Sequence, residues 1–208
     1  AGLEIDQFAV PGTLLRIGLS RRIELRVGWD GFQDLEVREG GVDFRVDGIG
    51  DSSLGFKIGL TDNATTGTVT ALLVETSVPT GADGFTNGRA DPSVRYIAAF
   101  DVAESVGLGV NLGVSWATEG EGAGRDTLAS AFYTVATGFG LSDRVGAFIE
   151  LFGELGLDSG ASDAHSFDGG FTYLVRPNVQ LDIAGGVGLN SAADNWFLGI
   201  GISARLPR

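Results

Sequence analysis

Hydrophobic residues in this chain recur at every second position, and that alternation restricts the fold more than any other feature. From Val106 to Trp116, the residues Val106, Leu108, Val110, Leu112, Val114 and Trp116 fall on one side. Gly107, Gly109, Asn111, Gly113 and Ser115 fall on the other. No helix carries apolar residues at strict i, i+2 spacing along one face, whereas a strand does. The same period runs through Val145, Ala147, Ile149 and Leu151, set against Gly146, Phe148, Glu150 and Phe152. It returns in Val179, Leu181 and Ile183 and again in Trp196, Leu198, Ile200 and Ile202. No stretch carries a helical period.

This pattern predicts about eleven strands, over 3–18, 21–30, 51–60, 66–78, 92–101, 104–117, 126–140, 143–157, 165–175, 178–189 and 194–206. Most run about ten to fourteen residues, whereas strands of soluble proteins average about five or six and a tilted membrane strand needs about nine to eleven. Short connections (Leu19–Ser20, Thr61–Thr65, Val102–Ala103, Leu141–Ser142, Arg176–Pro177) alternate with longer ones (Gly31–Gly50, Thr80–Asp91, Glu119–Arg125, Asp158–Ala164, Asn190–Ala193). The expectation is an all-β fold, a transmembrane up-and-down antiparallel β-barrel with periplasmic turns and extracellular loops, forming one domain over residues 1–208. Strand parity puts the start of 3–18 outside and the end of 194–206 in the periplasm. A barrel with both termini inside would then need one more strand before Ala1, making about twelve in the complete protein. On this reading an N-terminal strand and a signal peptide are missing. Splitting 3–18 at Pro11-Gly12 is the alternative, but each half would be short for a span.

Composition agrees. The chain has 208 residues, 34 of them Gly, and neither Cys nor Met, so disulfides and thiolate chemistry are excluded. Its formal net charge of −13 argues against nucleic acid as a partner. Mean hydropathy is nevertheless +0.18, too apolar for a disordered acidic chain. A soluble barrel would have to fill a wide cavity with medium-sized apolar residues, a difficulty that vanishes if the apolar face meets lipid. Trp29, Trp116 and Trp196 all fall on the apolar face near the long-loop strand ends, as an aromatic girdle requires.

Several segments resemble one family. They are Leu14-Leu-Arg-Ile-Gly-Leu-Ser-Arg-Arg-Ile-Glu-Leu-Arg-Val-Gly28, Gly48-Ile-Gly-Asp-Ser-Ser-Leu-Gly-Phe-Lys57, Glu75-Thr-Ser-Val-Pro-Thr-Gly81, Asn178-Val-Gln-Leu-Asp182 and Ala193-Asp-Asn-Trp-Phe-Leu-Gly-Ile-Gly201. In this order the chain resembles the outer-membrane transporter-like family named for a MetA pathway of phenol degradation. The resemblance implies an outer-membrane barrel passing small, including aromatic, molecules, with no catalytic residues to carry over. Many outer-membrane barrels end in an aromatic residue, and here the chain departs, ending Leu206-Pro207-Arg208.

If the polar face lines a lumen, its charges sort by strand. Arg16, Arg22, Arg26, Lys57 and Arg95 form an expected basic wall; Glu150, Glu154, Asp168 and Asp182 form an acidic one; Glu24, Glu75 and Arg205 break the pattern. Opposed walls would orient dipolar solutes, or pair and plug the lumen. Phe148 and Phe152 share the face of Glu150 and Glu154 and suit a ring-shaped solute or simple filling. Asp34, Glu36, Glu39, Asp43 and Asp47 crowd the connection 31–50, where Val42–Val46 alternates and extends a strand above the membrane. Asp83, Asp91, Glu119, Glu121, Asp158, Asp163 and Asp194 add to the outer loops. That rim is either simply solvated or bridged by divalent cations to lipopolysaccharide. The single histidine, His165, neighbours Ser166, but adjacent strand residues point to opposite faces and make no dyad.

The expected function is a non-enzymatic channel or transporter of the bacterial outer membrane. It would pass small, hydrophobic or aromatic solutes by diffusion through a charge-lined lumen, without cofactor or metal. Its partners would be the lipid bilayer, lipopolysaccharide and the solute. The alternative is a structural or adhesion barrel with a plugged lumen and partner-binding acidic loops.

Overall fold

A computed structural model describes residues 4–40, 42–63, 65–120 and 126–206. Glu121, Pro207 and Arg208, discussed above, lie outside the described residues. No described residue is helical. The strands are β1 (Glu4–Val10), β2 (Thr13–Gly18), β3 (Ile23–Trp29), β4 (Phe32–Glu39), β5 (Val42–Ile49), β6 (Ser52–Asn63) and β7 (Thr68–Val78), followed by β8 (Pro92–Ala103), β9 (Val106–Glu119), β10 (Asp126–Gly140), β11 (Val145–Gly156), β12 (Ala164–Arg176), β13 (Val179–Gly188) and β14 (Trp196–Ala204). A large sheet of 11 strands has the order β14-β13-β12-β11-β10-β9-β8-β7-β6-β3-β2, and a small one the order β1-β4-β5. The chain divides into two compact units, Ala1–Ile58 with Leu73–Val94 and Ser115–Leu128, and Gly59–Leu72 with Arg95–Val114 and Ala129–Arg208.

Within the first unit, the expected strand 3–18 is two strands in two sheets. Val10–Pro11 is cis, and β1 leaves β2 there to pair with β4, from Glu4↔Arg38 to Val10↔Phe32. Proline offers no N–H to a ladder, so the break falls where pairing stops. The connection 31–50 is likewise a hairpin, β4 and β5, in register from Phe32↔Ile49 to Glu39↔Val42. Three chain passages thus leave the large sheet for the small one together: β2 into β1, β3 into β4, and β6 into β5. The necks are held by Asp30 N–H donating to the Asp51 carbonyl at 2.9 Å and Gly50 N–H to the Gly31 carbonyl at 2.7 Å. Gly31 has φ +80°, and a Cβ there would sit 2.5 Å from the Pro11 carbonyl oxygen, so the close crossing needs glycine.

Two turns, one in each unit, are built alike. In Gly18-Leu-Ser-Arg-Arg-Ile23 the Ser20 hydroxyl accepts from Arg22 N–H at 3.2 Å and Ile23 N–H at 3.0 Å. In Gly140-Leu-Ser-Asp-Arg-Val145 the Ser142 hydroxyl accepts from Arg144 N–H at 3.3 Å and Val145 N–H at 3.0 Å. Serine closes both turns by taking up backbone donors that the strands leave over. Arg22, expected at a strand start, lies in the first of these turns.

In the second unit, β10 to β14 pair in an antiparallel meander whose register shifts once, between Leu174 and Arg176. The apolar positions make the exposed face. Ile149, Leu151, Phe167, Phe171, Ile183 and Val187 are all exposed, and Ile200 on β14 reaches 85%. The buried groups of this unit are small or polar: Ala71 and Ala98 beside Thr70, Ser130, Ser166 and Asp168. Water-driven folding would bury the large apolar side chains. Here the sheet leaves them exposed on one face, as the alternation leads one to expect. Leu112 and Trp116 on β9 follow the same rule.

Candidate functional site

The sheet registers decide which charges meet on the polar face. In the first unit, Arg16 on β2 stands opposite Arg26 on β3, and Glu24 opposite Lys57 on β6. Like charges directly across a sheet repel. The repulsion is relieved locally, because Arg16 turns onto Glu24 with Nε–Oε1 and Nη2–Oε2 both at 2.9 Å. This two-point geometry matches guanidinium to carboxylate. Opposite Arg26 lies Gly55, and a Cβ on it would sit 3.1 Å from Glu75. The two acids that break the expected basic wall, Glu24 and Glu75, therefore sit inside it.

A second arrangement lies in the second unit. Glu150 on β11 is directly opposite Asp168 on β12, which is opposite Gly186 on β13, which is opposite Phe197 on β14. Phe152 and Ser166 occupy the next row on one side, and Phe148 and Gly170 the next on the other. Glycine makes the room: a Cβ on Gly170 would lie 2.8 Å from the Phe148 ring, and one on Gly186 would meet Phe197 and lie 2.6 Å from Asp168 Cβ. Phe152 and Phe197 meet edge to face with ring centroids 6.0 Å apart. Asn111 on β9 donates to the Thr134 hydroxyl on β10 at 2.6 Å. Asp168 is 9% exposed, and its Oδ1 is buried without a hydrogen-bond donor.

The remaining expected site residues spread around these groups. Arg95, assigned to the basic wall, lies with its guanidinium 4.9 Å from the Phe132 ring centroid, and its charge acts on Glu150. It stands with the acidic residues. Glu154 is opposite Phe132, and Asp182 lies over Gly201. Trp29, Trp116 and Trp196 are each exposed on the apolar face of their strand. His165 contacts the Tyr133 hydroxyl at 3.2 Å, whereas Ser166 shares the face of Phe152 and Asp168. Phe197, Thr134 and Asn111 were not singled out from the sequence. Phe197 shares the parity of Gly199 and Gly201, which was a signal for its polar-face position.

A third group holds the connection 79–91, in the first unit. Asp51, buried, accepts from Gly81 N–H at 2.8 Å and the Thr86 hydroxyl at 3.1 Å. Thr80 donates to Ser52 Oγ at 2.8 Å, and Thr118 to Asp91 at 2.8 Å. Gly48 of β5 leaves space for Ala82 and Phe85, so this connection packs on the small sheet. The other face of that sheet carries ion pairs of Arg38 with Asp6 and Glu36, and of Arg45 with Asp34.

The fold has a close counterpart. The crystal structure of an outer membrane channel from Pseudomonas putida F1 superposes with TM-score 0.67 and 13% sequence identity, covering 96% of this chain and 80% of that one. No curated protein matches the sequence. The profile of the family described as "Putative MetA-pathway of phenol degradation" matches residues 5–206. The match spans nearly every strand, and the chain belongs to that family.

Proposed function

We propose that this protein is an outer-membrane β-barrel channel that passes small aromatic or hydrophobic solutes by diffusion, without enzymatic chemistry. The observation that carries the reading is the inverted distribution of polarity. The large antiparallel sheet exposes its Leu, Ile, Val, Phe and Trp side chains and turns its charges and glycines to the opposite face. In water such a surface would aggregate. In a bilayer it is the lipid belt of a barrel whose strands satisfy one another's backbone groups. Closure of the sheet into an up-and-down barrel puts the charged face around a lumen. The channel fold of the Pseudomonas putida F1 protein and the family's association with phenol degradation support the same reading. The long connections and the small sheet then lie outside, where their carboxylates face lipopolysaccharide and its counterions.

Planar-bilayer recording of the purified protein, paired with phenol uptake into proteoliposomes, tests this. Discrete conductance steps and uptake above protein-free vesicles are expected. The absence of both conductance and uptake would sink the proposal.

A further inference from the structure

We propose that Glu150 and Asp168, walled by Phe148, Phe152 and Phe197, form a subsite for a small aromatic monocation of the arylalkylammonium class. The inference rests on the channel reading in one respect, that this face lines the lumen.

Two carboxylates placed directly opposite each other across β11 and β12 repel unless something positive stands between them. The Arg95 guanidinium lies beside the Phe132 ring. Asp168 Oδ1 is buried and lacks a donor. A cation standing between the two carboxylates offsets that repulsion. An ammonium group brings three N–H donors, enough to reach both carboxylates.

The walls specify the rest of the ligand. Phe148 lies over Gly170 and Phe197 over Gly186, on either side of Asp168. Phe152 meets Phe197 edge to face. Rings around a carboxylate pair favour a cation with an organic body, held through ring faces and apolar contact. They offer nothing to a hydrated metal ion. A neutral phenol would satisfy the Asp168 acceptor but leave the paired charge in place, and an aromatic carboxylate would add to it.

Titration calorimetry of the full chain in detergent tests the subsite, with benzylammonium, phenol and benzoate as probes at neutral pH. Benzylammonium is expected to bind at least about tenfold more tightly than phenol, because charge-assisted bonds are about twice as strong as neutral ones, and benzoate is expected not to bind. Asp168→Asn and Glu150→Gln should each weaken benzylammonium at least about tenfold, and Asp143→Asn, exposed in the turn 140–145, by less than about twofold. Heat-modifiable migration on gels verifies that each variant is folded. If Asp168→Asn fails to fold, Glu150→Gln and Phe197→Leu carry the test. Phenol binding as tightly as benzylammonium, or undiminished binding in the folded variants, overturns the subsite. Bilayer conductance separates the two claims. A conducting protein that ignores benzylammonium loses the subsite and keeps the channel. A silent protein that binds it, with loss in Asp168→Asn, keeps the subsite and loses the channel.

Discussion

The Arg16 guanidinium closes on the Glu24 carboxylate through two parallel bonds of 2.9 Å, within a cluster that also holds Arg26 and Lys57. Glu24 therefore masks much of the positive potential of this face. Removing the carboxylate while keeping its shape, as Glu24→Gln does, should move ion selectivity toward anions. The reversal potential in a KCl gradient reads this directly. The shift should shrink as salt rises, because the screening length falls from about 10 Å at 0.1 M to about 3 Å at 1 M. An unchanged reversal potential at low salt would show that this cluster does not face the conducting path.

Asp51 bonds both Gly81 N–H and the Thr86 hydroxyl from a buried position. Asp51→Ala leaves those donors unpaired, at a cost of about 1–3 kcal/mol confined to the connection 79–91. Arg89 lies in that connection and offers a tryptic site. Limited trypsin digestion should cut the variant after Arg89 faster than the parent, with the large sheet intact. Equal cleavage rates would argue that Thr80–Ser52 and the packing of Phe85 suffice to hold the connection.

Gly31 and Gly40 both have positive φ, +80° and +58°. Only Gly31 is crowded, with the Pro11 carbonyl oxygen 2.5 Å from where a Cβ would stand; nothing lies within 4 Å at Gly40. Gly40→Ala should cost only the left-handed backbone penalty of about 1–2 kcal/mol. Gly31→Ala should cost more, because backbone must shift as well. Denaturant unfolding of the two variants ranks them, and a larger loss at Gly40 would contradict the neck geometry.

Ile183 and Val187 lie on one face of β13 and are equally exposed, at 47% and 48%. If that face meets lipid, depth separates them. Ile183→Arg at mid-strand should cost about 2–4 kcal/mol, and Val187→Arg near the strand end about 0–1 kcal/mol. Unfolding titrations in lipid vesicles measure the difference. Equal, small losses would place this face in water.

Asp30, at the neck outside the large sheet, has its carboxyl pushed above the ordinary aspartate range, first by burial and second by the charge of Asp51. The folded protein thus holds this proton more tightly than the unfolded chain. The stability it contributes is complete below the unfolded value and is lost as pH rises through the folded one. Asp30→Asn should flatten stability over that mildly acidic window, as seen in denaturation midpoints taken at stepped pH. A variant that keeps the parent's slope would assign that dependence elsewhere.

Strand identity was legible in the alternation itself. Val106 to Trp116 is a strand because side chains two apart share a face, a local property that needs no partner. The same rule placed Trp29, Trp116 and Trp196 on the exposed apolar face, and Glu150, Asp168, Phe148 and Phe152 together on the other. The family, too, was legible in the ordered segments from Leu14 to Gly201. Pairing was not legible, because the partner of a strand is a distant choice. That Glu4–Val10 joins β4 instead of continuing β2 depends on residues 32–38 being alongside. That Arg16 closes on Glu24 depends on the β2–β3 register. Arg95, on β8, reaches Phe132 on β10 across the intervening β9, a contact no local period contains. Periodicity tells each side chain which face it shares. Register and long-range packing decide which neighbour it finds there, and so where the charges and rings come together.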